Sequence, residues 1–184
     1  GGSQGGAPMS KPKLATVWLD GCSGCHMSLL DMDEAIVDLA GLAEVVYSPL
    51  VDAQQFPPRV DITLIEGAVS SEDDLKLVQT IRNNSRLVVA LGDCAVTGNV
   101  PAMRNLVSVK KLLESVYGND GQTAAVLPTT NVPALLKKAV PVHEVIKVDL
   151  HVPGCPPPPG TILMVLRELL AGRKPNLATL AKFG

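Results

Sequence analysis

The four cysteines of this chain are the residues best suited to chemistry, and each follows a stretch typical of a buried strand. They are Cys22, Cys25, Cys94 and Cys155. The apolar stretches before them span residues 14–19, 87–91 and 145–150, and each runs into a glycine-containing turn. Because the turns that leave parallel strands open on one edge of a sheet, where ligands bind, we expect the four thiols to converge there. Four converging thiolates suit an iron–sulfur cluster or a zinc ion.

The residues alone leave other uses of the cysteines open. A free cysteine often packs as a small apolar side chain, although the flanking glycines and prolines here favour turns. Zinc sites usually combine two close cysteine pairs, and only Cys22 and Cys25 form such a pair. A Cys-x-x-Cys that opens a helix is also typical of a thioredoxin-like dithiol, since the helix N-terminus lowers a thiol pKa. A cluster is favoured because it uses all four cysteines, whereas the dithiol gives Cys94 and Cys155 no role.

Composition limits the class of protein. The chain has 184 residues, of which 46% are hydrophobic and 18% charged, as in one globular domain. Its net charge of −2 argues against a nucleic-acid or anionic-membrane partner. No apolar run approaches the roughly 18–20 residues of a membrane helix. We expect residues 1–8 to be an appended, non-native segment without a signal peptide, and the protein to be cytoplasmic, where cysteines more often bind metal than form disulfides.

Predicted strands and helices alternate along the chain. We predict strands at residues 14–19, 44–48, 60–65, 87–91 and 145–150. We predict helices at residues 27–42, 70–83, 107–117 and 161–171. The first of these strands has no charged residue before Asp20, as expected for a strand covered on both faces. This alternation predicts an α/β fold with a doubly wound parallel sheet in a single domain.

Four motifs in this order resemble the small subunit of nickel–iron hydrogenases. They are Leu-Asp-Gly-Cys-Ser-Gly-Cys at 19–25, Ile-Glu-Gly-Ala at 65–68, Ala-Leu-Gly-Asp-Cys-Ala at 90–95 and Pro-Gly-Cys-Pro-Pro-Pro-Pro at 153–159. The resemblance implies a flavodoxin-like fold over residues 9–184, with the site at the C-terminal edge of the strands. It also implies that the four cysteines hold one 4Fe–4S cluster, the one nearest the nickel–iron centre of the large subunit.

The chain differs from the longer small subunits of nickel–iron hydrogenases, and the differences indicate which members it resembles most. The chain has no twin-arginine signal and no cysteine after Cys155. It therefore resembles the short small subunit of cytoplasmic, bidirectional NAD-reducing hydrogenases. The related subunit of NADH:quinone oxidoreductase has two adjacent cysteines in the first motif, whereas Ser23 and Gly24 separate them here.

The resemblance makes this chain an electron carrier. The sequence offers no nickel site, no nucleophile paired with a base and no dinucleotide-binding fingerprint, so we expect no catalytic residue within it. Its expected partners are the hydrogenase large subunit and the NAD- and FMN-binding diaphorase subunits. The nickel–iron centre, further iron–sulfur clusters and FMN are expected in those subunits.

Other polar residues have simpler interpretations. Glu66 follows a strand and is expected either to cap backbone amides or, by resemblance, to lie beside the cluster and the partner and take part in proton movement. His26 is expected to be solvated surface. His143 and His151 are expected to make local hydrogen bonds and not to bind metal.

Overall fold

The computed structural model describes residues 10–118, 127, 129–178 and 183. The strands are β1 (Lys13–Trp18), β2 (Glu44–Tyr47), β3 (Val60–Glu66), β4 (Val69–Ser71), β5 (Ser85–Leu91), β6 (Leu135–Val140) and β7 (Leu150–Val152). The α-helices are α1 (Gly24–Leu30), α2 (Ala35–Leu42), α3 (Glu72–Asn84), α4 (Asp93–Thr97), α5 (Asn99–Ala102), α6 (Val109–Tyr117) and α7 (Pro159–Leu170). Two short 3-10 helices span Met103–Leu106 and Val142–Glu144. The predicted appended segment, residues 1–8, lies outside the described residues.

The main sheet has five parallel strands in the order β2-β1-β3-β5-β7. This order confirms the predicted doubly wound sheet, and it is the flavodoxin-like order. The chain runs from β1 outward to β2 and then returns to β3 on the other side of β1. The loops after β1 and β3 therefore border the switch point, where ligands bind in such sheets.

Side chains pack on both faces of the central strands. Successive residues along a strand point to opposite sides of the sheet, so neighbours enter different clusters. Leu64 and Val89 pack on one face, in a cluster that includes Cys25 and residues of α7. Their neighbours Ile65 and Val88 pack on the other face, against residues of α3 and α4. This arrangement explains why the strands are nearly continuous apolar runs.

The helix predicted at 27–42 is wrong as a single element. The structure divides it into α1 and α2, separated by a turn in which Asp33 adopts φ 51°. A residue in the left-handed region cannot continue a right-handed helix, and aspartate tolerates that region better than most residues. The turn also places Met32 in the core beside Leu39 of α2.

The last predicted strand is wrong in position. The apolar run predicts it at residues 145–150, whereas β7 is Leu150–Val152. The backbone amides of Val145 and Ile146 donate to the carbonyl of Val142 at 3.1 Å each, so this part of the run turns instead of joining the sheet. The antiparallel pair of β4 and β6 has no counterpart among the predicted strands.

A partly exposed ion pair between Arg82 and Asp149 holds the residue directly before β7 in place. It leads to a prediction about the pH dependence of stability. Burial raises the pKa of Asp149, but hydrogen bonds from Arg82 and the Val88 amide outweigh it, so the pKa lies below its usual range. The stabilisation is therefore present above the unfolded pKa of about 3.9 and is lost as the pH falls below it. We expect Asp149→Asn to lower the free energy of unfolding by about 1 kcal/mol at neutral pH and by progressively less in acid. Urea unfolding from pH 7 to pH 2 measures this, with Asp73→Asn on the exposed surface of α3 as the control.

Candidate functional site

The structure places all four cysteines at the C-terminal edge of the parallel sheet, as predicted. Cys22 lies in the loop after β1 and Cys25 in the first turn of α1. Cys94 lies in α4, directly after β5, and Cys155 in the loop after β7. Cys22 and Cys155 are exposed, Cys94 is half-buried and Cys25 is buried. The expectation that all four occupy turns was wrong for Cys25 and Cys94, which lie in short helices.

Backbone hydrogen bonds join the loops that carry Cys94 and Cys155. The amide of Gly92 donates to the carbonyl of Val152 at 2.8 Å, and the amide of Asp93 donates to the carbonyl of Gly154 at 2.9 Å. The buried Asp93 carboxylate in turn accepts from the amide of Gly154 at 2.7 Å. The two cysteine loops therefore behave as one rigid unit.

Sequence reasoning missed the structural role of Asp93. The signal available was its position directly before Cys94 in a motif that also contains Gly92. Sequence reasoning also missed a hydrogen bond made by Ser28 of α1. Its hydroxyl donates to the carbonyl of Pro157 at 2.5 Å. Because Pro157 follows Cys155 by two residues, this bond fixes α1, and with it Cys25, relative to the last cysteine loop.

Gly92 leaves room for the Cys25 thiol. Its φ is 83°, a region that favours glycine, and a Cβ atom at this position would overlap Cys25 Sγ. The glycine before Cys94 therefore allows the sulfur of Cys25 to approach the Cys94 loop. The Cys25 sulfur therefore lies against the backbone two residues before Cys94.

The charges of the thiols act on one another, which supports the view that they share one site. Burial raises the pKa of the Cys25 thiol, and the charges of Glu66 and of the other cysteines raise it further. Burial likewise raises the pKa of Cys94, with additions from Cys155 and Cys22. Four thiolates so close together repel one another unless positive charge lies between them. Cationic iron bound by all four sulfurs would remove this repulsion, so the donor set fits an iron–sulfur cluster.

The four thiols are free in the structure. Among the described residues, no three His, Cys, Asp or Glu side chains form a group that could hold a single metal ion.

Glu66 is buried beside Cys25, at the end of β3, and accepts hydrogen bonds with both carboxylate oxygens. Oε1 accepts from the amide of Cys25 at 3.3 Å, and Oε2 accepts from the amide of His26 at 2.9 Å. Oε2 also bonds to Nδ1 of the His26 ring. Glu66 therefore caps the start of α1, as one of its two interpretations predicted. Its role in proton movement stays a prediction.

The prediction that His26 is solvated surface was wrong, because its side chain is buried. Its Nε2 lies 3.0 Å from Oγ1 of Thr16, which donates to Oγ of Ser48 at 2.8 Å. The chain Glu66–His26–Thr16–Ser48 thus crosses from the cysteine edge into the sheet. The available signal was Thr16, a polar residue inside the apolar strand β1, because the neighbouring strand β3 ends at Glu66. His143 and His151 lie farther along the chain and pack edge to face, with ring centroids 5.6 Å apart.

Replacing Glu66 with Gln should destabilise the protein. An ionised carboxylate only accepts hydrogen bonds, and here each oxygen faces an N–H group. A glutamine amide can accept with one atom only, so its NH₂ group must face a donor. We expect the free energy of unfolding to fall by about 1–3 kcal/mol, measured by urea denaturation. Glu44→Gln, at an exposed position in β2, is the matched control and should change little.

The fold and the site define an α/β protein of flavodoxin-like topology with four thiols at the ligand-binding edge of its sheet. The chain belongs to the family of the 20 Kd subunit of NADH ubiquinone oxidoreductase, whose pattern matches residues 22–169. The NAD-reducing hydrogenase HoxS subunit delta of Cupriavidus necator is 40% identical over 168 residues, which cover 89% of this chain and 80% of that protein. The F420-non-reducing hydrogenase vhu of Methanocaldococcus jannaschii has a subunit that is 37% identical over 169 residues. That match covers 91% of this chain but only 59% of the relative.

A solved structure agrees with the sequence relatives. A chain in the crystal structure of an NAD+-reducing NiFe hydrogenase in the H2-reduced state superposes with a TM-score of 0.90 at 36% identity. The superposition covers 95% of this chain and 100% of that chain. These findings confirm the resemblance to hydrogenase small subunits and the predicted fold. Among the described residues, no helix is both long and apolar enough to cross a membrane.

Proposed function

We propose that this chain is the electron-transfer small subunit of a cytoplasmic NAD-reducing nickel–iron hydrogenase. In this proposal Cys22, Cys25, Cys94 and Cys155 hold one 4Fe–4S cluster. The cluster relays electrons between the nickel–iron site of the large subunit and the diaphorase module. The observation that carries the proposal is the placement of four thiols, whose charges act on one another, at the edge where three parallel strands end.

The residues around the thiols suit rapid electron transfer. The cluster, when bound, supplies reversible one-electron chemistry. The chain's part is to hold the ligands still. Asp93 ties the loops of Cys94 and Cys155 together, and Ser28 ties α1 to the segment after Cys155. The buried Cys25 excludes water from one side of the site. Ligands fixed in this way move little when the charge changes, which favours transfer.

Large exposed apolar side chains flank the cysteines and support a docked partner. Trp18 precedes the first cysteine pair and is 49% exposed, and Met27, two residues after Cys25, is 55% exposed. Val100, six residues after Cys94, is 61% exposed. Large apolar side chains exposed on the segments that carry the thiols favour a protein interface at this edge. We propose that the large subunit covers this edge and that the diaphorase subunits complete the complex.

The alternatives fit the site less well. A thioredoxin-like oxidoreductase would use Cys22 and Cys25 and needs a thiol whose pKa is lowered, so that it attacks as the thiolate. It would also leave Cys94 and Cys155, which follow β5 and β7 at the same edge of the sheet, without a role. A structural zinc ion would need several ligands around one ion, and in the part of the chain that the structure describes no three His, Cys, Asp or Glu side chains form such a group.

Iron and acid-labile sulfide analysis tests the proposal. The sample is this chain purified anaerobically with the hydrogenase large subunit but without the diaphorase subunits. We expect about five iron atoms per pair of subunits, four in the cluster and one in the nickel–iron centre, and about four sulfides, with the spectrum of a single 4Fe–4S cluster. Stoichiometric zinc, or a redox-active disulfide without iron, would contradict the proposal.

A further inference from the structure

Asn99 is a polar residue beside the cysteine site that the function proposed above does not use. It begins α5, immediately after Gly98, on the segment that continues from the Cys94 helix. Its side-chain nitrogen Nδ2 donates to Sγ of Cys155 at 3.7 Å, a distance suited to the large sulfur acceptor. The segment after Cys94 therefore sends a hydrogen-bond donor to the cysteine that is farthest along the chain.

The backbone at Asn99 is unusual for a residue with a side chain. Its φ is 30°, in the region that favours glycine, and it directly follows a glycine whose φ is 85°. Asparagine enters this region more readily than most residues with a side chain, but it remains more strained there than glycine. A glycine would relieve that strain but would remove the donor to Cys155. Backbone strain of this kind is typical of functional sites. The group that asparagine has and glycine lacks is the side-chain amide, so the amide is the group to which we assign the function.

The next residue in the segment makes a parallel contact. The backbone amide of Val100 hydrogen-bonds the Cys94 thiol. Two successive residues, Asn99 and Val100, thus donate N–H groups to the sulfurs of two different cysteines. One donor belongs to the backbone and persists in any variant. The other belongs to a side chain and can be removed.

We propose that Asn99 is a positioning residue that sets the reduction potential of the cluster through its N–H···S bond to Cys155. The inference rests on the proposed function, since it requires a cluster on the four cysteines. Reduction of a bound cluster by one electron from the large subunit would place additional negative charge on the cysteine sulfurs. A donor to sulfur stabilises that reduced form and raises the potential. When the electron leaves for the diaphorase, the charge and the strengthened hydrogen bond are lost together.

Three substitutions at Asn99 separate tuning from packing. Asn99→Gly removes the donor and relieves the backbone strain. Asn99→Asp replaces the donor with a negative charge facing the sulfur. Asn99→Ser keeps a shorter donor. The control is Asn131→Gly, because Asn131 is exposed, has φ 60° and lies in the loop before β6. It reproduces the relief of strain without a contact to a cysteine.

The measurement is a redox titration of the purified complex followed by EPR, using the signal that Cys155→Ala abolishes. We expect Asn99→Gly to lower the reduced-to-oxidised ratio at a fixed potential by up to about tenfold, equal to a shift of about −59 mV for one electron. Asn99→Asp should shift the potential further in the same direction, and Asn99→Ser should shift it less. Asn131→Gly should leave it at the parent value.

Several results would overturn the inference. One is an unchanged potential in both Asn99→Gly and Asn99→Asp. A second such result is loss of the cluster from Asn99→Gly. That loss would mean that the Asn99 amide is needed to hold the cluster in place and that its role is structural. A parent complex without any cluster on this chain would instead refute the proposed function. The two failures are therefore distinguishable in a single series of samples.

Discussion

A complex that carries Cys155→Ala should lose its small-subunit cluster and, with it, hydrogen-driven reduction of NAD. The substitution leaves three thiolates for a group that is expected to need four. The sequence holds four cysteines, so no fifth thiol can take the place of Cys155. Loss of a ligand should exceed the 10–100-fold effects seen when groups that merely support metal ligands are removed. We expect activity to fall by at least about a hundredfold, with iron content measured on the same sample.

Pro158→Ala is the matched control for Cys155→Ala. Pro158 is exposed in the same loop, and it uses its backbone carbonyl, which alanine retains, to accept the amides of Thr161 and Ile162. The control should keep both cluster and activity. The dithiol alternative makes the opposite prediction, because chemistry at Cys22 and Cys25 would survive in Cys155→Ala. A Cys155→Ala complex with a normal cluster spectrum would remove this residue from the ligand set.

The sequence predicted the part of the site that depends on strand order. The runs at residues 14–19 and 87–91 are mostly buried, and such runs are recognisable without a partner. Parallel strands place their exits on one edge, so the convergence of Cys22, Cys94 and Cys155 follows from topology alone. The capping of α1 by Glu66 was also among the predicted interpretations, since a carboxylate at a strand end lies near helix starts.

The rest of the site depends on contacts between residues far apart in the sequence. The sequence suggests a surface position for His26, because a histidine after a cysteine pair has no apolar pattern around it. Its burial depends on Glu66 and Thr16, which lie on neighbouring strands. The position of β7 depends in the same way on Asp149, whose carboxylate binds Arg82 and the amide of Val88. Local propensity at residues 145–150 carries no information about these partners.

Gly92→Ala should disrupt the site. The new methyl group would overlap Cys25 Sγ, and φ 83° strains any residue with a Cβ atom. Cys25 has little room to withdraw, because it is buried in the core and its amide is held by Glu66. We expect the free energy of unfolding to fall by about 2–4 kcal/mol and the cluster to be lost or incomplete. Urea unfolding and iron content measure the two effects.

Two glycines separate the causes of that loss. Gly172 has φ 72° but would place an added methyl group with nothing within 4 Å, so Gly172→Ala reports the backbone strain alone. Gly160 has neither a positive φ nor a neighbour within 4 Å, so Gly160→Ala in α7 should be neutral or stabilise by up to about 1 kcal/mol. If Gly92→Ala costs no more than Gly172→Ala and keeps its iron, the contact between Gly92 and Cys25 does not shape the site. A larger loss of stability in Gly92→Ala, together with loss of iron, would show that the close approach of these two loops is what holds the thiols together.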